Sequence, residues 1–145
     1  GPELNQVFLG SEGVYGIITS VEMKIYPIAE TRIFQAYTFP STHDGLNAIR
    51  NFIHKGLRPA VVRLYDEVEA VPKISSYGFE KGFVLLILVF EGNKEMSELE
   101  AGMTKEICLG NNGRYKGELA AREWLETRFS TKKMLDFDAA STAML

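Results

Sequence analysis

The segment GSEGVYGIIT, residues 10–19, places Gly10, Gly13 and Gly16 at intervals of three ahead of an aliphatic run. Glycine lets a chain turn tightly and lets a ligand or a second backbone approach main-chain N–H groups closely. The spacing is neither that of a Walker loop nor that of a dinucleotide fingerprint. No Gly-Lys-Ser/Thr follows, and the loop precedes an expected strand instead of opening a helix. Taken alone, the pattern fits a structural turn as well as a ligand-contacting loop. Two arginines stand in positions that could do chemistry. Arg63 interrupts the apolar run AVVRLYD, residues 60–66, where a guanidinium must find a partner or reach solvent. Asp66, Glu67 or exposure on a sheet edge would each satisfy it. Arg128 closes the helical pattern WLETR, where a cation is favoured by the negative helix end. Its planar fork of donors suits a phosphate or a carboxylate.

The remaining candidates point to structure. His43 and His54 have no acidic or cysteine company at metal-ligand spacing, so they are expected as exposed helix residues with no metal bound. Cys108 ends an apolar helical pattern and is expected as a small core residue, not a nucleophile. Trp124 is expected in the core or on the wall of a site. The acidic stretch from Glu91 to Glu106 is interleaved with Lys94 and Lys105 and reads as a solvated helix face. No Ser/His/Asp or Cys/His arrangement can be assembled.

These residues need elements to hold them. Ile17, Val21, Met23 and Ile25 alternate with polar neighbours, which predicts a strand over 17–26 that Pro27 ends. Residues 31–39, TRIFQAYTF, are β-branched and aromatic on both sides and predict a sandwiched strand. Ser41 and Asp44 form a capping box for a helix with Leu46, Ile49 and Ile53 on one stripe, closing at Gly56. AVVRLYD predicts a strand, followed by a short acidic helix over 66–71 before Pro72. Gly82 and Gly92 bracket FVLLILVFE, a central strand covered on both faces. Met96, Leu99, Met103 and Ile107 predict a helix over 94–109, stopped by the turn 110–113. A short strand at 113–117 and a helix over 117–128, offering Leu119, Trp124 and Leu125 to the core, complete the order. That order predicts an α+β fold, an antiparallel sheet with helices packed on one face, of the split βαβ kind.

Composition bounds the function. The chain has 145 residues, 46% apolar and 24% charged, ordinary for one compact domain. Sixteen basic against 19 acidic residues give a net charge of −3, which argues against a nucleic-acid partner. One cysteine fits a reducing compartment, the cytoplasm. No apolar run approaches the roughly 20 residues of a transmembrane helix.

The motifs also carry a family resemblance. ELNQVFLGSEGVYGIITSVEMKIYP resembles the segment that ends the FAD-binding domain in flavoproteins of the vanillyl-alcohol-oxidase type, whose usual form is GSEG, two variable residues, glycine, two aliphatics and threonine. FPSTHDGLNAIRNFIHKGLRPAVVRLYDEVEA and YKGELAAREWLETRFSTKKM resemble the cap domain of the branch that contains alkyldihydroxyacetonephosphate synthases and related FAD-linked oxidases. The resemblance covers essentially the whole chain. GSEG is shared widely, including by lactate- and glycolate-type dehydrogenases, and the RPAVVRLYD and WLETRF segments are the more specific.

The resemblance implies residues 1–27 as the end of an FAD-binding domain and 28–145 as an incomplete ferredoxin-like cap domain. It implies FAD as cofactor, with Glu12, Gly13, Val14, Tyr15, Gly16, Ile17 and Ile18 lining it; Tyr15 stands where the family commonly has leucine. Arg63 matches an arginine important for activity, and Arg128 one that holds the anionic substrate. The implied reaction is exchange of acyl for alkyl on dihydroxyacetone phosphate through a flavin adduct. FAD-dependent oxidation of a 2-hydroxy acid is the alternative. The family's glycine loops lie upstream of GSEG and its catalytic tyrosine and histidines downstream of WLETRF. A fragment, inactive alone and partnered by the rest of its FAD domain, is therefore expected, with a homodimer left open. The rival from another class is a non-catalytic ligand-binding or dimerisation module. The enzyme reading requires Arg63 and Arg128 to converge on one cleft facing the loop 10–19.

Overall fold

The computed structural model describes residues 1, 3–79 and 82–129. Its elements are α1 (Leu4–Phe8), β1 (Thr31–Phe39), α2 (Thr42–His54), β2 (Val61–Tyr65), α3 (Glu67–Ser76), β3 (Val84–Gly92), α4 (Lys94–Gly110), β4 (Arg114–Tyr115) and α5 (Leu119–Thr127). The strands form one antiparallel sheet in the order β2-β3-β1-β4. Setting aside α1, α3 and α5 leaves βαββαβ, the split βαβ arrangement expected from the order of elements. Among the described residues no helix is long and apolar enough to cross a membrane.

The sheet is built on β3, whose residues from Val84 to Phe90 are all buried. Because side chains alternate along a strand, the run divides between two cores. Val84, Leu86, Leu88 and Phe90 join Tyr37 and Phe39 of β1 beneath α2 and α4. Leu85, Ile87 and Val89 join Phe34 and Ala36 beneath α3 and α5. The expectation of helices on one face holds for the two crossover helices only. A sheet apolar on both sides must be covered on both sides, and α3 and α5 supply the second layer.

The buried stripes of the crossover helices differ from those expected. In α2 the buried residues are Gly45, Ala48 and Phe52, and Leu46 is exposed. In α4 they are Ser97, Ala101, Thr104 and Cys108, while Met96 and Leu99 are more than half exposed. The sheet already contributes the bulk, Tyr37, Phe39, Leu86 and Phe90, so small residues are needed where the helices approach it. At Gly45 a Cβ would lie 2.9 Å from the Leu64 Cδ1. Helix α3 continues through Pro72 instead of ending before it, at the loss of one backbone donor. In α5 the buried residues are Ala120 and Ala121, with Trp124 and Leu125 packed beside them and Leu119 exposed.

The expected caps are present. Ser41 Oγ accepts from the Asp44 N–H at 3.2 Å and donates to the Asp44 carboxylate at 2.5 Å. Asn112 Nδ2 donates to the same carboxylate at 3.1 Å, so the start of α2 is tied to the end of α4. These bonds, led by that from Ser41, hold the Asp44 carboxyl below its ordinary range. Helix α2 ends with Gly56 at φ +83° and with the Leu57 N–H donating to the Phe52 carbonyl, a Schellman closure. Helix α4 ends in the same way, with Asn112 at φ +64° and the Gly113 N–H donating to the Cys108 carbonyl at 2.9 Å.

The strand expected over 17–26 does not form. Residues 17–29 carry no helix or ladder, and Ile17 and Ile25 are 90% and 86% exposed. Alternation alone cannot make a strand. It needs a hydrogen-bonding neighbour, and β1 joins the sheet only from Glu30, whose N–H donates to the Gly92 carbonyl.

Gly113 sits where a Cβ would lie 2.5 Å from the Cys108 carbonyl oxygen and 2.8 Å from the Phe39 ring. Gly113→Ala should therefore cost about 1–3 kcal/mol in denaturant unfolding. Gly102→Ala, on an open position of α4, should add roughly 0.5–1 kcal/mol.

Candidate functional site

The glycine segment folds as an open loop. Gly10, Glu12, Gly13 and Gly16 have φ of +78°, +51°, +84° and +149°, conformations that L side chains rarely adopt. Two turns hold it, Ser11 N–H to the Phe8 carbonyl and Val14 N–H to the Ser11 carbonyl, and the Tyr15 ring meets Phe8 edge to face at 6.3 Å. A Cβ at Gly10 or Gly13 would meet nothing within 4 Å. Beside the loop lies a shallow, open hollow of about 340 Å³ lined by Phe8, Gly10, Ser11, Glu12, Gly13, Gly16, Ile17 and Ile18. Val14 and Tyr15 are exposed and do not line it. Uncovered main chain beside exposed aliphatics can meet both polar oxygens and the flat face of an aromatic ring.

Arg63 lies on β2, an edge strand, and is exposed. Its Cζ is 5.0 Å from the centre of the Tyr65 ring, and Lys73 Nζ is 4.4 Å from the same ring. Neither carboxylate expected beside it pairs with it: Asp66 instead accepts from the Glu69 N–H at 2.8 Å and caps α3. Exposure on the edge, with the guanidinium against an aromatic ring, is the solution adopted.

Arg128 is exposed at the end of α5, with Cζ 5.6 Å from the Trp124 ring and 4.5 Å from the Phe129 ring. It opens into a cleft of about 400 Å³, lined also by Arg32, Ala60, Val61, Val89, Glu91, Leu125 and Phe129. Arg32 Nε donates to Glu91 Oε2 at 2.7 Å, across directly facing positions of β1 and β3.

Arg63 and Arg128 lie on one side of the sheet. Val61, Arg63 and Tyr65 alternate onto the face covered by α3 and α5, and Val61 is in the Arg128 cleft. Arg63 itself does not line that cleft, and no residue of the loop does. The hollow of the loop is likewise lined only by residues between Phe8 and Ile18. The chain thus brings the arginines to a common face and leaves the loop apart from them. Arg32 and Lys73 were not singled out in the sequence, and Glu91, expected at the start of a solvated helix face, lies on β3. For Arg32 and Glu91 a signal was present, since both share strand parity with the inward residues of that face.

Other candidates behave as structure. Cys108 is fully buried, and burial pushes its thiol up to about 12. His43 and His54 are exposed on α2, and among the described residues no cluster of three metal-ligating side chains occurs. Gln35, buried, accepts from the Tyr37 hydroxyl at 2.9 Å and donates to the Ala101 carbonyl at 3.1 Å, which ties β1 to α4. The Tyr77 hydroxyl donates to Glu123 at 2.7 Å and joins α3 to α5. Burial, with that bond, raises the Tyr77 phenol.

No protein-family profile matches the chain. It is 38% identical over 71 residues to the alkyldihydroxyacetonephosphate synthase of Caenorhabditis elegans, 49% of this chain and 12% of that protein. It is 30% identical over 108 residues to the uncharacterised FAD-linked oxidoreductase YgcU of Escherichia coli, 74% of this chain and 22% of that protein. Two crystal forms of an alkyldihydroxyacetonephosphate synthase superpose with a TM-score of 0.75 at 25% and 26% identity, over 94% of this chain and 29% of theirs. The relatives of this chain are alkyldihydroxyacetonephosphate synthases and FAD-linked oxidoreductases. The chain is 28% identical over 130 residues to a probable mitochondrial D-lactate dehydrogenase of Danio rerio, 88% of this chain and 25% of that protein. The synthase structures share the α+β sheet fold found here, and the chain spans less than a third of the length of these relatives.

A thiol raised by burial loses stability as pH climbs. With the folded value near 12 and the ordinary value at 9.0, the contribution is whole below pH 9 and lost as pH rises towards 12. Cys108→Ala should flatten the alkaline limb of the stability profile, and the native thiol should resist alkylation at pH 8.

Proposed function

We propose that this chain acts as part of an FAD-dependent enzyme of the alkyldihydroxyacetonephosphate-synthase kind. In this reading residues 1–27 close an FAD-binding domain, and the sheet domain from residue 28 is the cap that carries the substrate-facing arginines. The observation that supports it most is the superposition of this fold on the synthase structure over 94% of the chain; Arg63 and Arg128 share a sheet face but not the single loop-facing cleft expected of them. The loop supports it as well, because left-handed glycines and exposed aliphatics are what close contact with a flavin dinucleotide requires.

The residues that would hold FAD are Glu12, Gly13, Val14, Tyr15, Gly16, Ile17 and Ile18. The bound flavin supplies the electron-accepting ring on which this chemistry depends. The chain's own contribution is orientation and charge. The Arg128 guanidinium, steadied against Trp124 and Phe129, binds the substrate anion. Arg63, steadied against Tyr65, provides positive charge where the reacting group gains electron density. Oxidation of a 2-hydroxy acid uses the same parts, with Arg128 on the carboxylate, and the similarity to the D-lactate dehydrogenase favours that as the second reading. The lone cysteine is consistent with a reducing compartment, the cytoplasm.

Two variants of the longer protein test this. Gly13→Val forces a β-branched residue to φ +84° and should abolish flavin retention, read as visible absorbance after gel filtration. Retained flavin would favour a ligand-binding or dimerising module. Arg128→Ala should keep the flavin and raise KM for the anionic substrate by about tenfold or more.

A further inference from the structure

Helix α3 is connected to both candidate arginines. Arg63 lies on β2 with its guanidinium against the Tyr65 ring, and α3 begins directly after that strand, capped by Asp66. Lys73 of α3 lies over the same ring at 4.4 Å. At the other end, Tyr77 follows the last residue of α3, and its N–H donates to the Lys73 carbonyl at 3.3 Å. Its hydroxyl donates to Glu123 Oε2 at 2.7 Å. Glu123 belongs to α5, the helix that leads into Arg128.

Helix α5 is anchored mainly at its start. Its buried residues, Ala120 and Ala121, lie in the first turn, and its N-cap, Glu118, makes no side-chain cap bond. Ala121, Trp124 and Arg128 recur at intervals of three and four, so they share one side of the helix. Trp124 packs against the core of that face, and Arg128 continues the stripe into the cleft. The direction of Arg128 therefore follows the rotation of α5 about its own axis. Glu123 precedes Trp124 by one residue and lies on the flank of the stripe, where a bond to another element opposes that rotation. The main chain is tied at the same place, since Thr127 Oγ1 donates to the Glu123 carbonyl at 2.6 Å.

Tyr77 is suited to the task. Its ring packs in the layer beneath α3 and α5, with the Phe79 ring centre 5.6 Å away. Burial, and then the bond to Glu123, raise its phenol, so it stays a donor through the neutral range. A hydroxyl bonded to a carboxylate is held more strongly than one bonded to a neutral acceptor.

We propose that Tyr77 is a positioning residue: through Glu123 it holds the rotation of α5, and so the direction in which Arg128 enters its cleft. The proposal rests on the reading of Arg128 as the residue that binds the substrate anion, and it makes α3 a strut between the strand of one arginine and the helix of the other.

The test uses the longer, FAD-loaded protein with acyl-dihydroxyacetone phosphate as substrate. Tyr77→Phe removes one hydroxyl and keeps the ring. It should retain flavin and the native far-UV circular dichroism, raise KM about threefold to tenfold and leave kcat within about twofold. Glu123→Ala should do the same, whereas Glu123→Gln keeps an acceptor oxygen and should stay within about twofold of the native KM. Tyr77→Phe added to Arg128→Ala should raise KM no further, because residues that act through one another are not additive. An unchanged KM in Tyr77→Phe, with Arg128→Ala raising it, overturns the proposal and leaves the Arg128 reading standing. A further rise in the double variant overturns it too, since Tyr77 would then act on something other than Arg128. Loss of flavin or of circular dichroism in Tyr77→Phe marks a general structural role and counts equally against it. A native KM in Arg128→Ala removes the Arg128 reading and the proposal together.

Discussion

The burial of β3 on both faces is the constraint to which the rest of the described fold answers. Seven consecutive apolar residues, Val84 to Phe90, are all buried, and each contributes about 1.5–3 kcal/mol relative to exposure. A strand that is apolar on both sides cannot lie at a sheet edge or face water. It therefore takes a hydrogen-bonding neighbour on each flank, β1 and β2, and a helical layer on each face. Bulky residues on the strands then favour small ones on the helices, and Gly45, Ala48, Ala101, Ala120 and Ala121 are buried there, with Phe52 the one large buried residue of α2.

The two layers do different work. Beneath α2 and α4 the core is closed by capping bonds and by the Gln35–Tyr37 link to the Ala101 carbonyl. Beneath α3 and α5 the packing is opened by cations lying on rings: Arg63 and Lys73 on Tyr65, Arg122 on Phe34, Arg128 on Trp124. Long side chains lying on aromatic faces keep their charged ends near solvent while their stems cover apolar surface. The face that carries the candidate arginines thus holds several such cations, and on the opposite side Lys105 of α4 lies over the Tyr115 ring.

The glycine loop belongs to neither layer. Its aliphatics are exposed and, among the described residues, its turns are held by neighbours in sequence. Its residues Ile17 to Ile25 alternate as a strand would, but among the described residues no ladder takes them up.

Local chemistry determined much of the described chain from sequence. Ser41 and Asp44 cap a helix through groups three residues apart, Gly56 closes it because that turn needs a left-handed residue, and the apolar run bracketed by Gly82 and Gly92 reads as a central strand. The resemblance carried by GSEG, RPAVVRLYD and WLETRF pointed to the right relatives. Tertiary structure alone decided which helix faces are buried, because Leu46, Met96 and Leu99 make a better apolar stripe than Gly45, Ala48, Ser97 and Ala101 until the bulk of the opposing sheet is known. It also decided that Pro72 stays within α3 and that residues 17–26 stay outside any sheet. The pairing of Arg32 with Glu91 beside Arg128 could not be read from the chain, since those residues lie far apart in sequence and meet only through antiparallel register and the placement of α5.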